Sequence, residues 1–253
     1  MFTAADAYDR SIGRYARELA PRFVALTGVA SLPAGPVLDV GCGTGALTAW
    51  LAERFGEKRV AAVDPSEPFV AICRERVPGA DVRIGVGEAL PFRDRTFSAS
   101  LAQLVLGFAK DAPRMAAEMR RVVRPGGIVG ACMFEARGMA LTRAFYDEAV
   151  KLDPAAPHEE RRPLRSADAL EALWRVAGLR DVLRGEIHLE VDYDGFDDCF
   201  APFAEGVGPA GAYFQSLPEE RRRALRDAMF EALGRPQGGF SLPAHVLVVT
   251  GTA

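Results

Sequence analysis

The sequence predicts an α/β fold, a doubly wound Rossmann-like sheet, and three observations predict it. Short apolar runs alternate with segments whose apolar residues recur every three or four positions between residues 36 and 134. The apolar runs lack the polar alternation of a half-exposed strand, which favours a mostly parallel sheet covered by helices on both faces. Three glycines directly follow the first run, and such a turn between a first strand and a first helix is typical of this fold.

The elements of this first half follow one another in order. The first strand is VLDV, residues 37–40, and the helix after the glycines stops at Gly56. Further strands are predicted at 59–64, 80–87, 96–106 and 128–134, and further helices at 67–77 and 112–123, the last ended by Pro125-Gly126-Gly127. We therefore expect five strands and their helices to form a core over residues 35–137.

The flanking segments predict helices around that core. Apolar residues recur at helical spacing over residues 6–27, and Pro21 predicts two helices there rather than one. The second half predicts helices at 139–152, 167–177 with a cap at Ser166, and 216–234 with a Ser216–Glu219 capping box, and strands at 181–193 and 244–253. We expect a single domain over 1–253, with N-terminal helices 6–27 and lid insertions 138–163 and 194–238.

Composition excludes several classes of protein. The 253 residues are 49% hydrophobic, enough for a full core, and a net charge of −3 argues against a large nucleic-acid footprint. The four cysteines have no metal-ligand or redox spacing, and His158, His188 and His245 are isolated in the sequence, so we expect free thiols and no metal site. No uncharged apolar run reaches the ~18 residues of a membrane span, and the N-terminus lacks the apolar core of a signal peptide. These features predict a cytoplasmic protein.

The glycine loop carries the chemical signal. Gly41, Gly43 and Gly45 leave the backbone bare, so that it can turn sharply and a ligand can approach it. The spacing is G-x-G-x-G rather than G-x-G-x-x-G, and no Lys-Ser/Thr pair follows, which excludes a P-loop. The loop therefore indicates a nucleotide-like ligand that is not held through a P-loop.

Two carboxylates narrow the class of ligand. Asp39 precedes the loop and would repel a pyrophosphate, whereas an ammonium or sulfonium group would be attracted. Asp64 ends the second strand, where a carboxylate can accept hydrogen bonds from both ribose hydroxyls. S-adenosylmethionine carries an ammonium group, a sulfonium group and a ribose, and it is the ligand that this pattern favours.

Five ordered motifs resemble the class I S-adenosylmethionine-dependent methyltransferases, and are most similar to the bacterial group related to ubiquinone/menaquinone biosynthesis methyltransferases. They are VLDVGCGTG, VDPSE, EALPFRDRTFS, LAQLVLGFAKD and EMRRVVRPGG. The resemblance implies a seven-stranded sheet whose last strand lies antiparallel between strands five and six. It also implies cofactor-binding residues: Asp39, Gly41, Cys42, Gly43, Gly45, Asp64, Pro65, Ser66, Gly87, Glu88, Gln103 and Tyr15.

The sequence departs from the family pattern in three places. Val86 replaces the usual adenine-binding aspartate, so the adenine is expected to be held by the backbone of Gly87 and Glu88 or by shape. Ser98 replaces the aspartate that usually follows the phenylalanine before the fourth strand. Gly107-Phe108 replaces a histidine pair after the fourth strand, which removes a candidate general base from the rim of the site.

The function that follows is methyl transfer to a small organic molecule, at oxygen, nitrogen or carbon. Transfer from a sulfonium is an in-line displacement, driven mainly by positioning of donor and acceptor. No residue is assigned as catalytic base. Acceptor contacts are expected from the N-terminal helix and the aromatic insertion: Tyr8, Arg14, Phe196, Phe200 and Tyr213.

Two other functions stay open. One is a catalytically inactive, S-adenosylmethionine-binding regulatory protein, because positions 86, 98 and 107 depart from the family pattern. The other is a nicotinamide-dependent oxidoreductase. That class needs G-x-G-x-x-G and tolerates no acid at position 39, and the sequence meets neither condition. The expected partner is the small-molecule methyl acceptor, without nucleic acid or membrane span, and the chain is expected to be a monomer or a homodimer.

Overall fold

The computed structural model describes residues 4–29, 35–157 and 164–253, and only the backbone of residues 4–10. Tyr8 and His158 therefore lie outside the described side chains. The chain forms two compact units. We call Ala16–Met133, Pro163–Ile187 and Val246–Ala253 the sheet unit, and Met1–Tyr15, Phe134–Arg162 and His188–His245 the insertion unit. The predicted lid boundaries remain a prediction.

The predicted sheet is confirmed. Its strands run in the order β3-β2-β1-β4-β5-β7-β6, with the first five parallel. The strands are β1 Val37–Val40, β2 Val60–Asp64, β3 Asp81–Ile84, β4 Phe97–Gln103, β5 Val123–Met139, β6 Arg180–Tyr193 and β7 Phe240–Thr252. The amide of Gly126, near the start of β5, donates to the carbonyl of Ala253, just beyond β7, so β7 is antiparallel to β5.

The helices follow the predicted positions with small shifts. They are α1 Ala4–Thr27, α2 Ala46–Phe55, α3 Glu67–Arg76, α4 Ala112–Arg121, α5 Ala140–Leu152, α6 Ala167–Val176, α7 Phe196–Ala204, α8 Gly208–Ser216 and α9 Glu219–Ala232. The Ser166 hydroxyl caps α6 as predicted, accepting from the amide of Ala169 at 3.2 Å. Trp174 of α6 is fully buried in the sheet unit and donates its indole N–H to Val129 at 3.0 Å.

Three local predictions are wrong or incomplete. Residues 4–27 form one helix that continues through Pro21, because the buried Leu19 and Phe23 on either side of it stabilise the helix more than one lost hydrogen bond costs. The Ser216–Glu219 capping box does not form: α9 begins after Pro218, and the Ser216 hydroxyl donates to Tyr213. Strand β5 starts at Val123 rather than 128, with a register shift opposite Phe97 to Ala99.

Among the residues that the structure describes, no helix combines the length and the apolar character needed to cross a bilayer.

Candidate active site

The glycine loop joins β1 to α2 in the sheet unit and is fixed by its own backbone. The amides of Gly41 and Cys42 both donate to the carbonyl of Val63 in β2, at 2.8 and 3.1 Å. Gly41, Gly43 and Gly45 all have left-handed backbone, with φ of 74°, 53° and 90°. Residues with a side chain rarely adopt that backbone conformation, so glycine at these three positions allows the loop its shape.

Close packing explains two of the glycines further. A Cβ atom on Gly41 would lie 2.3 Å from Val105 Cγ2, and one on Gly45 would lie 2.7 Å from the Cys73 sulfur. The loop is thus held between the segment after β4 and helix α3. It presents a bare backbone on a rigid support, the form that close approach of a ligand requires.

Gly41→Ala should lower the free energy of unfolding by about 1–3 kcal/mol more than Gly56→Ala, through overlap with Val105. Gly56 is a matched control, because its φ of 91° is also left-handed but a Cβ there meets nothing within 4 Å. Urea denaturation of both variants measures the difference. Equal destabilisation would contradict the packing described for Gly41.

Asp39 is buried in the middle of the sheet. It lies in β1 between Ala62 of β2 and Leu101 of β4, and its side chain is 1% exposed. Its Oδ2 accepts from the Thr48 hydroxyl at 2.6 Å, whereas Oδ1 has no hydrogen-bond partner within the described chain. Burial raises the pKa of Asp39 to about 7, with the nearby charge of Asp64 adding to the effect and the Thr48 hydrogen bond opposing it.

Asp64 stands at the carboxyl end of β2 and ties the loop to the next helix. Its Oδ2 accepts from the amide of Gly43 and its Oδ1 from the amide of Ser66, both at 2.9 Å. Burial raises the pKa of Asp64, and these two donors counteract the shift. Each carboxylate oxygen can accept a further hydrogen bond, so anchoring the loop leaves Asp64 able to bind a ribose.

Gln103, at the end of β4, is the third polar side chain at this edge of the sheet. Its Nε2 donates to the carbonyl of Ala16 at 3.0 Å, and its buried Oε1 has no partner among the residues described. A buried acceptor without a donor costs free energy. Asp39 and Gln103 therefore each offer an acceptor atom that a ligand with N–H or cationic groups would satisfy.

The family comparison decides the class of this site. Residues 38–131 match a family model described as a methyltransferase domain. The matched segment runs from β1 into β5 and contains Asp39, the glycine loop, Asp64 and Gln103. This segment is a methyltransferase domain.

Relatives with this class in their names are also found. A malonyl-[acyl-carrier protein] O-methyltransferase of Serratia marcescens is 31% identical over 131 residues, 49% of this chain and 50% of that protein. One of Geobacter sulfurreducens is 28% identical over 222 residues, 85% of this chain and 82% of that protein. The chain thus spans about half the length of the Serratia relative.

The fold is also that of a solved methyltransferase. Phosphoethanolamine N-methyltransferase 2 of Haemonchus contortus, crystallised with S-adenosyl-L-methionine, superposes with a TM-score of 0.57 at 16% identity. The match covers 100% of this chain and 60% of that chain. It shows that the architecture is shared.

The remaining cofactor candidates of the methyltransferase domain have local structural roles. The Glu88 carboxylate accepts from the amides of Lys110 and Asp111 at 2.8 and 3.3 Å, so it holds the loop before α4. A Cβ on Gly87 would lie 2.8 Å from the Met115 sulfur, so this glycine permits close packing. Whether these residues also contact adenine stays a prediction.

Cys42, Pro65 and Ser66 complete the candidate set around the loop. Cys42 is buried beside Cys73, and a hydrogen bond between their thiols raises the pKa of Cys42, as expected for a packing residue rather than a nucleophile. Pro65 is exposed. Ser66 precedes α3 and contributes its backbone amide to Asp64.

The candidates of the N-terminal helix are engaged within the insertion unit. The Arg14 guanidinium makes a bidentate pair with Asp198 at 2.7 and 2.9 Å and lies over the ring of Tyr193. The Tyr15 hydroxyl is 2.5 Å from that of Tyr193, and burial raises the pKa of Tyr15. These contacts give both residues a structural role, and their binding roles remain predictions.

The aromatic candidates belong to one cluster of the insertion unit. Phe196 and Phe200 are buried and stack at 5.5 Å, and Tyr213 packs edge-on against Phe145 of α5. Phe145 also stacks on Phe203 at 4.3 Å. The cluster explains why this insertion is rich in aromatic residues, and acceptor contacts by its members stay a prediction.

Sequence reasoning missed two residues that shape the site. Thr48, in the first turns of α2, is fully buried and donates to Asp39. A hydroxyl placed among the buried residues that follow the loop is the signal that could have identified it. Val105 packs on the backbone of Gly41, and a contact from a different loop leaves no mark in the sequence.

Proposed function

We propose that the protein transfers a methyl group from S-adenosylmethionine to a small organic acceptor. The observation that carries the proposal is Asp39, a buried carboxylate whose Oδ1 lacks a partner among the described residues and which precedes a bare glycine loop in a methyltransferase domain. A cation suits this place, because it would compensate the cost of the buried charge. An anionic diphosphate would increase that cost.

The residues of the domain fit the parts of this cofactor. Asp39 and the Gln103 Oε1 would accept hydrogen bonds from the amino-acid portion of the cofactor, and Asp64 would accept them from its ribose. The loop backbone would lie against the part of the cofactor between these two groups. When bound, the cofactor supplies an electrophilic methyl group on a positively charged sulfur. The fit rests on the unsatisfied buried acceptors and on glycines that other residues could replace only with strain.

The contribution of the protein would be mainly positioning. Holding two reactants in a near-attack geometry can contribute ~7–11 kcal/mol, and a base adds ~10²–10⁴-fold where the acceptor must lose a proton. The rigid loop, fixed by Val63, Asp64, Val105 and Cys73, suits that task.

An acceptor with an apolar part suits the rim of the site. Phe108, on the 3-10 turn Leu106–Phe108 that begins right after Val105, is 65% exposed. An exposed phenylalanine is a ready contact for an apolar or aromatic ligand. Its position after β4, where the family pattern has histidine, favours an acceptor that needs no histidine base there.

A second acceptor class is a carboxylic acid carried on acyl-carrier protein. It is favoured by the similarity to malonyl-[acyl-carrier protein] O-methyltransferase, which in the Geobacter case extends over 85% of this chain. Methyl transfer to a carboxylate also needs no general base, which agrees with the absence of an assigned one.

Calorimetric titration with S-adenosylmethionine, S-adenosylhomocysteine and NAD tests the cofactor, and a panel of small acids, amines, phenols and malonyl-acyl-carrier protein tests the acceptor. We expect binding of both sulfur ligands, no binding of NAD, and S-adenosylhomocysteine formation with at least one acceptor. Binding of NAD alone would contradict the proposal. Tight binding of the cofactor without turnover on any acceptor would favour the inactive regulatory protein.

A further inference from the structure

Two histidines of the insertion unit lie against each other, although they are far apart in the sequence. His188 in β6 and His245 in β7 stack with ring centroids 4.5 Å apart and planes at 7°. Their ligand nitrogens lie within 4.8 Å of each other. These two histidines, isolated in the sequence, are therefore neighbours in the structure.

Strand register explains the pair. Ser241 donates to the carboxylate of Asp192, and Phe240 stacks on Tyr193 at 5.7 Å, so these residues face each other across β6 and β7. His188 lies four residues before Asp192 in β6, and His245 lies four residues after Ser241 in β7, so in an antiparallel pair the two histidines are directly opposite each other. Directly opposed residues of antiparallel strands have Cβ atoms about 4.5–5.5 Å apart and project from the same face. The sheet itself therefore fixes the two imidazoles side by side.

The pair borders a cavity that is also lined by carboxylates. The cavity has a volume of about 320 Å³, and its lining includes the carboxylate residues Glu135 and Glu190. Neither carboxylate makes a hydrogen bond or ion pair with any part of the chain that the structure describes. Arg137 also lines the cavity, but it is paired with Asp147 at 2.8 Å, so its charge is largely compensated.

We propose that His188 and His245 bind a divalent transition-metal ion, and that Glu135 and Glu190, which line the same cavity, supply negative charge around it. Imidazole nitrogen suits zinc, nickel and copper. Each nitrogen must come within about 2.1 Å of the ion, and rotation of the two side chains would bring nitrogens that lie within 4.8 Å of each other to one ion. Arg143, which lines the same cavity, opposes a cation there, and the two carboxylates outweigh it.

Titration of tag-free protein with Ni²⁺ by calorimetry tests the site, because nickel prefers nitrogen ligands. We expect one ion per chain, and at least about tenfold weaker binding in His188→Ala and in His245→Ala, since even outer-shell changes cost about 10–100-fold. His158→Ala is the matched control, because it removes the third histidine of the chain. It should bind as the unmodified protein does.

The two carboxylates are tested separately. At least one of Glu135→Gln and Glu190→Gln should weaken Ni²⁺ binding, because each removes a negative charge from the cavity, and no effect of either variant would overturn this role of the carboxylates. Unchanged binding in either histidine variant, or an equal loss in His158→Ala, would overturn the site itself. Far-ultraviolet circular dichroism confirms folding, and His188→Asn and His245→Asn repeat the test with smaller changes of volume. None of these readouts depends on methyl transfer.

Discussion

Replacing Asp64 by alanine should weaken binding of S-adenosylhomocysteine by ~1.5–3 kcal/mol, or about 10- to 150-fold. The carboxylate would lose its hydrogen bonds to the ribose. The variant would also lose the hydrogen bonds that the Asp64 carboxylate accepts from the amides of Gly43 and Ser66, both at 2.9 Å. Because each hydrogen bond to a charged group contributes about 1.5–3 kcal/mol, the variant should also unfold at lower urea concentration. Calorimetry and urea denaturation measure the two effects separately.

Asp81→Ala is the matched control for Asp64→Ala. It removes the same charge from the neighbouring strand β3, where Asp81 pairs with Arg83 on the surface, with about half of each side chain exposed. Surface pairs contribute ~0–1 kcal/mol, so this control should change neither quantity much. If Asp64→Ala binds S-adenosylhomocysteine as tightly as Asp81→Ala does, the ribose has been placed wrongly.

The sequence predicts the core of this protein well, because the signals there are local. VLDV is buried on both faces and reads as a central parallel strand, and the three glycines carry left-handed backbone at the predicted positions. Asp39 and Asp64 end up close enough for their charges to interact, as expected of residues at neighbouring strands of one parallel sheet. Side-chain type and strand order suffice for these conclusions.

The features that the sequence did not predict depend on tertiary packing or on strand register. Pro21 would break an isolated helix, but buried residues on both sides hold α1 continuous. The pairing of His188 with His245 depends on the register of β6 against β7, which sequence alone does not fix. Glu88 and Arg14 are candidates for binding from the sequence, and the structure adds hydrogen bonds to the chain itself.

Asp39 should set the pH dependence of cofactor binding. Its pKa is about 7 without the cofactor, so at pH 6 only about a tenth of the molecules carry the charge that a cation needs. Asp39→Asn keeps the shape but has no charge at any pH. The ratio of wild-type to variant affinity for S-adenosylmethionine should rise about fivefold from pH 6 to pH 7, reach about tenfold near pH 8 and change little above that pH. Taking the ratio cancels the titration of the ligand itself.

The same pKa makes the opposite prediction for the stability of the cofactor-free protein. A buried acid whose pKa is raised from 3.8 binds more protons in the folded state than in the unfolded state between about pH 4 and pH 7. The free energy of unfolding therefore falls as the pH rises through this window. Asp39→Asn lacks this loss, so the variant should gain stability relative to the wild type up to pH 7, and the difference should then stay constant.

Urea denaturation of both proteins from pH 4 to pH 8 measures that difference, with Asp81→Asn as a surface control. A difference in the free energy of unfolding that does not change between pH 4 and pH 7 would contradict the buried, unsatisfied acid described for Asp39. Affinity and stability would otherwise move in opposite directions over the same pH window. That behaviour is expected of a carboxylate that destabilises the empty site and is stabilised when a cation occupies it.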